Sequence, residues 1–140
     1  MPVNLEVYYC EKNNKALQIL KNQGIIPCGN KAAADNIINY QGHTLKLLPA
    51  NSSDGAQEKH LPTATFDGDS LIIKIGEVMH PMTSEHLIEW ITIIYDNFVQ
   101  HGTFDHEETP QITFHIGKTK KVDIYSYCNL HGLWKITATR

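Results

Sequence analysis

The second half of the chain is a series of short apolar segments rich in β-branched residues, and this pattern constrains the fold more than any other feature. "SLIIKIGEV" alternates, with Leu71, Ile73 and Ile75 on one face and Lys74 on the other. "HLIEWITIIYDNF" has the length of a helix, but its Ile, Thr, Trp and Tyr residues favour a strand. Turn residues separate these segments from "TATF", "QITFHIG", "KVDIYSY" and "LWKITAT". The sequence therefore predicts a mostly β protein built on an antiparallel β-sandwich.

The first half of the chain has a different sequence pattern. "LEVYYC" and "KALQIL" flank "EKNNK", which predicts a β-hairpin. "AAADNIINY" allows one or two turns of helix, with Ala favouring helix and Asn opposing it. "PANSSDGAQ" collects Pro, Asn, Ser, Asp and Gly and is typical of a linker. We therefore predict a small N-terminal module over residues 1–50 and a larger domain over residues 51–140.

Composition excludes several classes of function. Hydrophobic residues make up 41% and charged residues 19% of the 140, which is enough apolar surface for a folded core. The net charge of -3 and the pI near 6.2 provide no basic face for nucleic acid. "MPVNLEVYYC" lacks the pattern of a signal peptide, and no run of about eighteen apolar residues predicts a membrane span. Three cysteines imply no disulfide framework, so we expect a cytoplasmic protein.

A set of five side chains has the chemistry of a metal site. Cys128 and His131 are three residues apart in "CNLHGLW", so a sulfur and a nitrogen can close on one ion around a turn. Prolines or other restricting residues also flank three further histidines: His60 in "EKHLP", His80 in "VMHPM" and His86 in "SEHLIEW". Five ligands are one more than the tetrahedral set of structural zinc, and this count favours iron. Imidazole and thiolate also bind zinc and copper.

Three other interpretations of these residues stay open at this point. Taken alone, Cys128 is an inert buried thiol, because free cysteine is among the most buried residue types. The His/Cys cluster could instead hold a structural zinc or iron in a non-catalytic β-sandwich. A copper electron-transfer domain is the third, with Met79 or Met82 beside His80 as the weak axial thioether.

Three strings together resemble one known family, the superoxide reductases, also called desulfoferrodoxins and neelaredoxins. "EKHLP", "GEVMHPMTSEHLIEWI" and "CNLHGLWK" occur in that order across residues 58–137. The resemblance implies an immunoglobulin-like β-sandwich with one mononuclear iron that cycles between ferrous and ferric states. It implies one-electron reduction of superoxide to hydrogen peroxide in antioxidant defence, with the electron supplied by rubredoxin or a similar donor. The implied ligands are four equatorial nitrogens and an axial thiolate: His60, His80, His86, His131 and Cys128.

The resemblance also assigns roles beside the metal. Lys59 matches a cation that attracts a small anion and orients a water for proton delivery, and Glu58 matches a carboxylate that approaches the sixth position after oxidation. We expect backbone N–H groups of Leu130 and His131 to point at the sulfur of Cys128. Leu133 and Trp134 are predicted to pack the core. The remaining histidines are assigned structural roles: His43, His101, His106 and His115.

The N-terminal module departs from the pattern of the longer members. Those members begin with a rubredoxin-like module in which four cysteines hold a second iron, whereas here Asn13 stands in place of the thiol that would follow Cys10. Cys28 stands alone, and the segment 31–44 is longer than the family's connection. We therefore predict a desulforedoxin-like module that has lost its metal site and serves dimerisation or docking. Unpaired structural cysteines are favoured, with residual metal binding or a mutual disulfide as alternatives. A homodimer is expected.

Overall fold

The fold is confirmed as mostly β with antiparallel sheets in a computed structural model, which describes residues 3–12, 15–22, 37–40, 42–53 and 55–140. Within them lie eleven strands and one single-turn helix. Contacts divide the chain into two compact units, Met1–Pro49 and Ala50–Arg140. No helix among the described residues is long and apolar enough to cross a lipid bilayer.

The N-terminal unit is a four-stranded sheet in the order β2-β1-β4-β3. The predicted hairpin is confirmed, because β1 and β2 pair antiparallel along their whole length, from Val3 opposite Asn22 to Cys10 opposite Lys15. A small core forms around Tyr8, Cys10 and Leu45. The strands are β1 (Val3–Cys10), β2 (Lys15–Asn22), β3 (Ile37–Tyr40) and β4 (His43–Leu47).

The helical interpretation of "AAADNIINY" is wrong for its described part. Residues 37–40 form strand β3, which pairs antiparallel with β4 from Ile37 opposite Lys46 to Tyr40 opposite His43. Two consecutive isoleucines favour an extended backbone, and the β4 edge offers them a hydrogen-bonding partner. Residues 31–36 and Cys28 lie outside the described residues.

The C-terminal unit packs a four-stranded sheet, β11-β10-β7-β8, against a three-stranded sheet, β5-β6-β9. The core between them takes the alternating apolar residues of both sheets, such as Leu71 and Ile73 from β6 and Val122 and Ile124 from β10. The elements are α1 (Gln57–His60), β5 (Pro62–Asp67), β6 (Ser70–Ile75), β7 (Ile88–Tyr95), β8 (Phe98–Thr103), β9 (Gln111–His115), β10 (Lys121–Cys128) and β11 (Gly132–Thr139). The strand prediction for "HLIEWITIIYDNF" is confirmed by β7.

Strand β7 contains one extra residue where it pairs with β10. Tyr127 lies opposite Trp90, but Cys128 lies opposite Ile88, so Glu89 is left without a partner position on β10. Beyond this β-bulge Ile88 joins the core beside Ile91, although the strict alternation of a strand would place them on opposite faces.

Strand register brings three chain segments to one end of the sandwich. The start of β5 pairs with the end of β6, through Pro62 opposite Ile75. The end of β10 pairs with the starts of both β7 and β11, because Cys128 lies opposite Ile88 and Gly132. Helix α1, the connection 76–87 and the β10–β11 turn therefore emerge together, and these segments carry all the predicted ligands.

Candidate metal centre

Four of the five predicted ligands lie together at this end of the sandwich. One ligand atom from each of His60, His80, His86 and Cys128 lies within 4.8 Å of the others. Among the described residues this is the only such group of three or more His, Cys, Asp or Glu side chains. The imidazole centroids of His60 and His86 each lie 4.7 Å from that of His80, edge to face. His60 and His80 are 2% exposed and Cys128 is fully buried.

The fifth predicted ligand, His131, lies beside this group without belonging to it. Its ring centroid is 4.6 Å from that of His60 and 5.0 Å from that of His86. Its Nδ1 atom is 3.9 Å from the sulfur of Cys128. The β10–β11 turn therefore presents the Nδ1 edge of His131 to the thiol.

Three imidazoles have a buried nitrogen that lacks a protein partner. The Nε2 atoms of His60, His80 and His86 are buried and make no hydrogen bond. The Nδ1–H of His60 donates to the Ala56 carbonyl at 2.7 Å, and that of His80 donates to the Pro81 carbonyl at 2.6 Å. Donation from Nδ1 leaves Nε2 of these two rings as a lone-pair acceptor. Because a buried acceptor without a partner is costly, the donor set fits a metal ion.

Electrostatics keep these imidazoles neutral, which is the form that binds a metal. Burial lowers the pKa of His80 to about 4. Burial is also the main cause that lowers the pKa of His60 and of His86, and the nearby Lys59 ammonium lowers the pKa of both further.

Two opposing effects act on the pKa of the Cys128 thiol. Burial raises its pKa, since a thiolate loses solvation in an apolar environment. Backbone N–H groups of Leu130 and His131 donate to the sulfur and favour the thiolate, which are the contacts expected from "CNLHG". A bound cation would add a stronger stabilisation of the thiolate.

Helix α1 is attached by its backbone to the segment that leads into His80. The N–H of Val78 donates to the Glu58 carbonyl at 3.1 Å, and the N–H of Gly76 donates to the Leu61 carbonyl at 3.1 Å. Gly76 has φ +87, and a Cβ there would lie 2.7 Å from the Lys59 carbonyl oxygen. Only glycine combines this backbone angle with so close an approach. The turn that carries His60 is therefore fixed against the connection that carries His80.

The two predicted catalytic side chains lie at the surface of this turn. Lys59 is exposed, and its charge reaches the imidazoles of His60 and His86. Glu58 is exposed in the first turn of α1 and lines a groove of about 400 Å³ that also contains Glu77. Neither residue belongs to the His/Cys group.

Two neighbours of the ligands were not identified as such from the sequence. The indole of Trp134, assigned there to core packing, stacks on the His60 ring at 4.9 Å and 21°, and its Nε1–H donates to the His131 carbonyl at 3.2 Å. Gly55, which sequence reasoning placed in the linker, lies where a Cβ would approach within 3.0 Å of both His60 and His131. The Trp in "CNLHGLW" was a usable signal, whereas nothing in "SSDGAQ" distinguishes Gly55 from a linker glycine.

The residues named for the copper alternative have other positions. The sulfur of Met82 accepts a hydrogen bond from the Ile88 N–H at 3.3 Å, and Met79 is 49% exposed. The four histidines assigned structural roles also lie outside the group of four. Among them, the Nδ1 of His43 lies 3.7 Å from the sulfur of Cys10, and the Nδ1 of His101 lies 2.6 Å from the Thr92 hydroxyl.

Fold and site together define a class: an antiparallel β-sandwich protein with a buried imidazole and thiol cluster at one end of the sandwich. The family model described as Desulfoferrodoxin matches residues 52–137, which contain all five predicted ligands. The chain belongs to the desulfoferrodoxin family. A desulfoferrodoxin of Clostridium acetobutylicum is 32% identical over 94% of this chain and 95% of its own length.

Solved structures agree with this assignment. The superoxide reductase of Treponema pallidum superposes with a TM-score of 0.69 at 26% identity, covering 94% of this chain and 98% of that one. The 1Fe superoxide reductase of Giardia intestinalis gives a TM-score of 0.51 at 27% identity and covers 59% of this chain and 99% of that one. The first match must include most of the N-terminal unit, because the C-terminal unit alone is too short to supply such coverage.

Proposed function

We propose that this protein is a superoxide reductase. The reaction combines one superoxide anion, one electron and two protons to give one hydrogen peroxide. The family assignment and the names of the two structural neighbours support this activity. The observation that carries it is the set of three buried Nε2 atoms without partners, gathered around a buried thiol.

The proposed ligands of one mononuclear iron are the four gathered side chains with His131 as the fifth. His60, His80 and His86 would bind through Nε2. His131 would bind through Nδ1, because that atom lies nearest the Cys128 sulfur. When bound, the iron supplies the single electron by passing between its ferrous and ferric states and offers an open position to a small anion.

Lys59 is proposed to assist the incoming anion. Its ammonium is solvent-exposed, yet its charge is felt by His60 and His86, so it lies within electrostatic reach of the site. A cation in that position raises the local concentration of superoxide and holds a water that delivers a proton.

Glu58 is proposed as the carboxylate that approaches the metal after oxidation. It precedes the His60 ligand by two residues on the same turn of helix and is exposed. A hard carboxylate oxygen prefers the more highly charged ferric ion, and its approach would help product to leave.

The N-terminal unit is proposed to be a desulforedoxin-like module without its iron. Cys10 survives there, but Asn13 replaces the second thiol. The electron would then reach the C-terminal site directly from an external donor, for which we propose rubredoxin or a similar small redox protein. We also propose a homodimer, with sheet edges as the route to pairing. The free thiols of Cys10 and Cys128 support a cytoplasmic location.

One observation favours a second candidate, a structural zinc site. The side chains of His60, His80, His86 and Cys128 make a complete four-ligand set without His131. Four nitrogen and sulfur ligands are what a closed tetrahedral zinc site requires.

Metal analysis and superoxide consumption separate the two candidates. The superoxide reductase should contain one iron per chain and develop a thiolate-to-iron absorption band on oxidation. Pulse-generated superoxide in the presence of a reductant should yield one hydrogen peroxide for each superoxide, against one for every two in dismutation. A colourless, redox-silent protein with one zinc per chain would overturn the proposal.

A further inference from the structure

We infer that Asn129 is a positioning residue that ties the His86 ligand to the turn carrying Cys128. Asn129 lies between the thiol and the exposed Leu130 in "CNLHG". The inference rests on the proposed function, because it concerns how this chain prepares its side chains for a metal.

Asn129 brackets His86 with three hydrogen bonds. Its side-chain Nδ2 donates to the carbonyl of Glu85 at 2.9 Å, on one side of His86. Its Oδ1 accepts the N–H of Leu87 at 3.0 Å, on the other side. The backbone N–H of Asn129 also donates to the Leu87 carbonyl at 3.2 Å. The peptide groups before and after His86 are therefore fixed by one residue, which lies 42 positions beyond Leu87 in the sequence.

This bracket matters because His86 is oriented differently from its two partners. The rings of His60 and His80 are each held by an Nδ1–H bond to a backbone carbonyl. His86 has no such ring bond among the described contacts, and it is held through its backbone. Its N–H donates to the Thr83 hydroxyl at 3.0 Å, and its carbonyl accepts the Thr83 N–H at 2.9 Å.

The bracket also joins two separate chain segments at the thiol. Cys128 precedes Asn129 directly, so a shift of the β10–β11 turn relative to the 83–87 loop would separate the sulfur from the His86 nitrogen. Asn129 resists that shift with one donor and one acceptor. Loss of partners that orient ligands typically lowers metal affinity roughly 10- to 100-fold.

A cobalt titration of the metal-free full-length chain tests this role. Co²⁺ reports both its affinity and, through the thiolate-to-cobalt absorption band, its bond to Cys128. Asn129→Ala removes both side-chain hydrogen bonds and should raise the Kd for Co²⁺ roughly 10- to 100-fold. Asn129→Asp keeps the acceptor for the Leu87 N–H and should have a smaller effect of the same sign.

Asn51→Asp is the matched control. The Asn51 amide brackets Lys135 in a similar way, donating to its carbonyl at 3.0 Å and accepting its N–H at 2.8 Å, but it brackets no ligand. Each Asp variant loses one amide donor, so both should lower the Tm of the metal-free protein by similar amounts. Only the Asn129 variants should raise the Kd.

The outcomes are distinguishable. A Kd for both Asn129 variants equal to that of Asn51→Asp would overturn the positioning role, and if Asn129→Ala does not fold, Asn129→Asp decides alone. A wild-type chain that binds no Co²⁺ through a thiolate would overturn the proposed function and the inference with it.

Discussion

Each unit of the chain contains a buried cysteine whose sulfur lies close to the Nδ1 of a histidine. In the N-terminal unit the Cys10 sulfur is 3.7 Å from His43, and in the C-terminal unit the Cys128 sulfur is 3.9 Å from His131. The pairs are alike in chemistry and distance. They differ in the side chains around them, because three further imidazoles approach Cys128, while the described residues place no comparable group around Cys10.

The difference shows that a metal site depends on how many segments converge. Cys10 lies at the end of strand β1, where its sheet supplies His43 from β4. Cys128 also lies at a strand end, but that end of the sandwich gathers helix α1 and the connection 76–87 as well. The same thiol and imidazole pair is therefore part of a candidate active site in one unit and a local contact in the other.

The largest difference between the two cysteine–histidine pairs should appear when each thiol is removed in turn. Cys128→Ser should abolish superoxide reduction and the thiolate-to-iron band, because a hydroxyl is a poor substitute for a soft sulfur ligand. Cys10→Ser should leave metal content, spectrum and activity unchanged. Iron per chain and the visible spectrum of both variants check this, with far-UV circular dichroism as the test of folding. An iron-free Cys10→Ser protein would mean that the two pairs are not distinct in function.

A glycine exchange in each unit tests the packing of the ligands. Gly55→Ala would place a methyl group within 3.0 Å of the His60 and His131 rings and should weaken metal affinity roughly 10- to 100-fold as the imidazoles move. Gly42→Ala in the N-terminal unit meets no atom within 4 Å, but it has φ +78 and should cost about 1 kcal/mol of stability. Metal titration and thermal unfolding measure the two effects. Equal metal affinities of the Gly55→Ala and Gly42→Ala variants would show that Gly55 does not shape the site.

The smallest effect concerns the charge beside the site. Lys59→Ala should lower the second-order rate constant with superoxide by about 10-fold and flatten its dependence on ionic strength, with iron content unchanged. Lys118→Ala removes another exposed lysine, beyond the start of strand β10 and so at the end opposite Cys128. Pulse radiolysis at several salt concentrations compares them. Identical rate constants for the two variants would remove Lys59 from the mechanism.

Much of the fold follows from local patterns in the sequence. Alternation in "SLIIKIGEV" predicted β6, and the β-branched content of "HLIEWITIIYDNF" predicted β7. The one element predicted wrongly is at residues 37–40, where pairing with β4 makes the segment a strand. Helix propensity is a local property and does not include such a tertiary contact.

The site divides in the same way. The predicted ligands could be picked out from the sequence because they occur in short motifs, and the structure brings His60, His80, His86 and Cys128 together as a group. Two residues that position the predicted ligands, Gly55 and Asn129, were missed because their contacts form only in the folded chain. Gly55 lies against the rings of His60 and His131, and Asn129 hydrogen-bonds peptide groups of a loop that is distant in sequence. Neither has a sequence signal of its own.

The bulge at Glu89 makes the length of strand β7 part of the chemistry. Side chains along a strand change face at every residue, and the bulge absorbs Glu89 so that Ile88 still enters the core opposite Cys128 and the chain that leads back to His86 keeps its phase. A regular pairing that kept Glu89 in the ladder would leave every ligand in the sequence while turning that segment toward the wrong face. Counting residues between landmarks is therefore as important as keeping the ligands when loops of this scaffold are grafted or shortened.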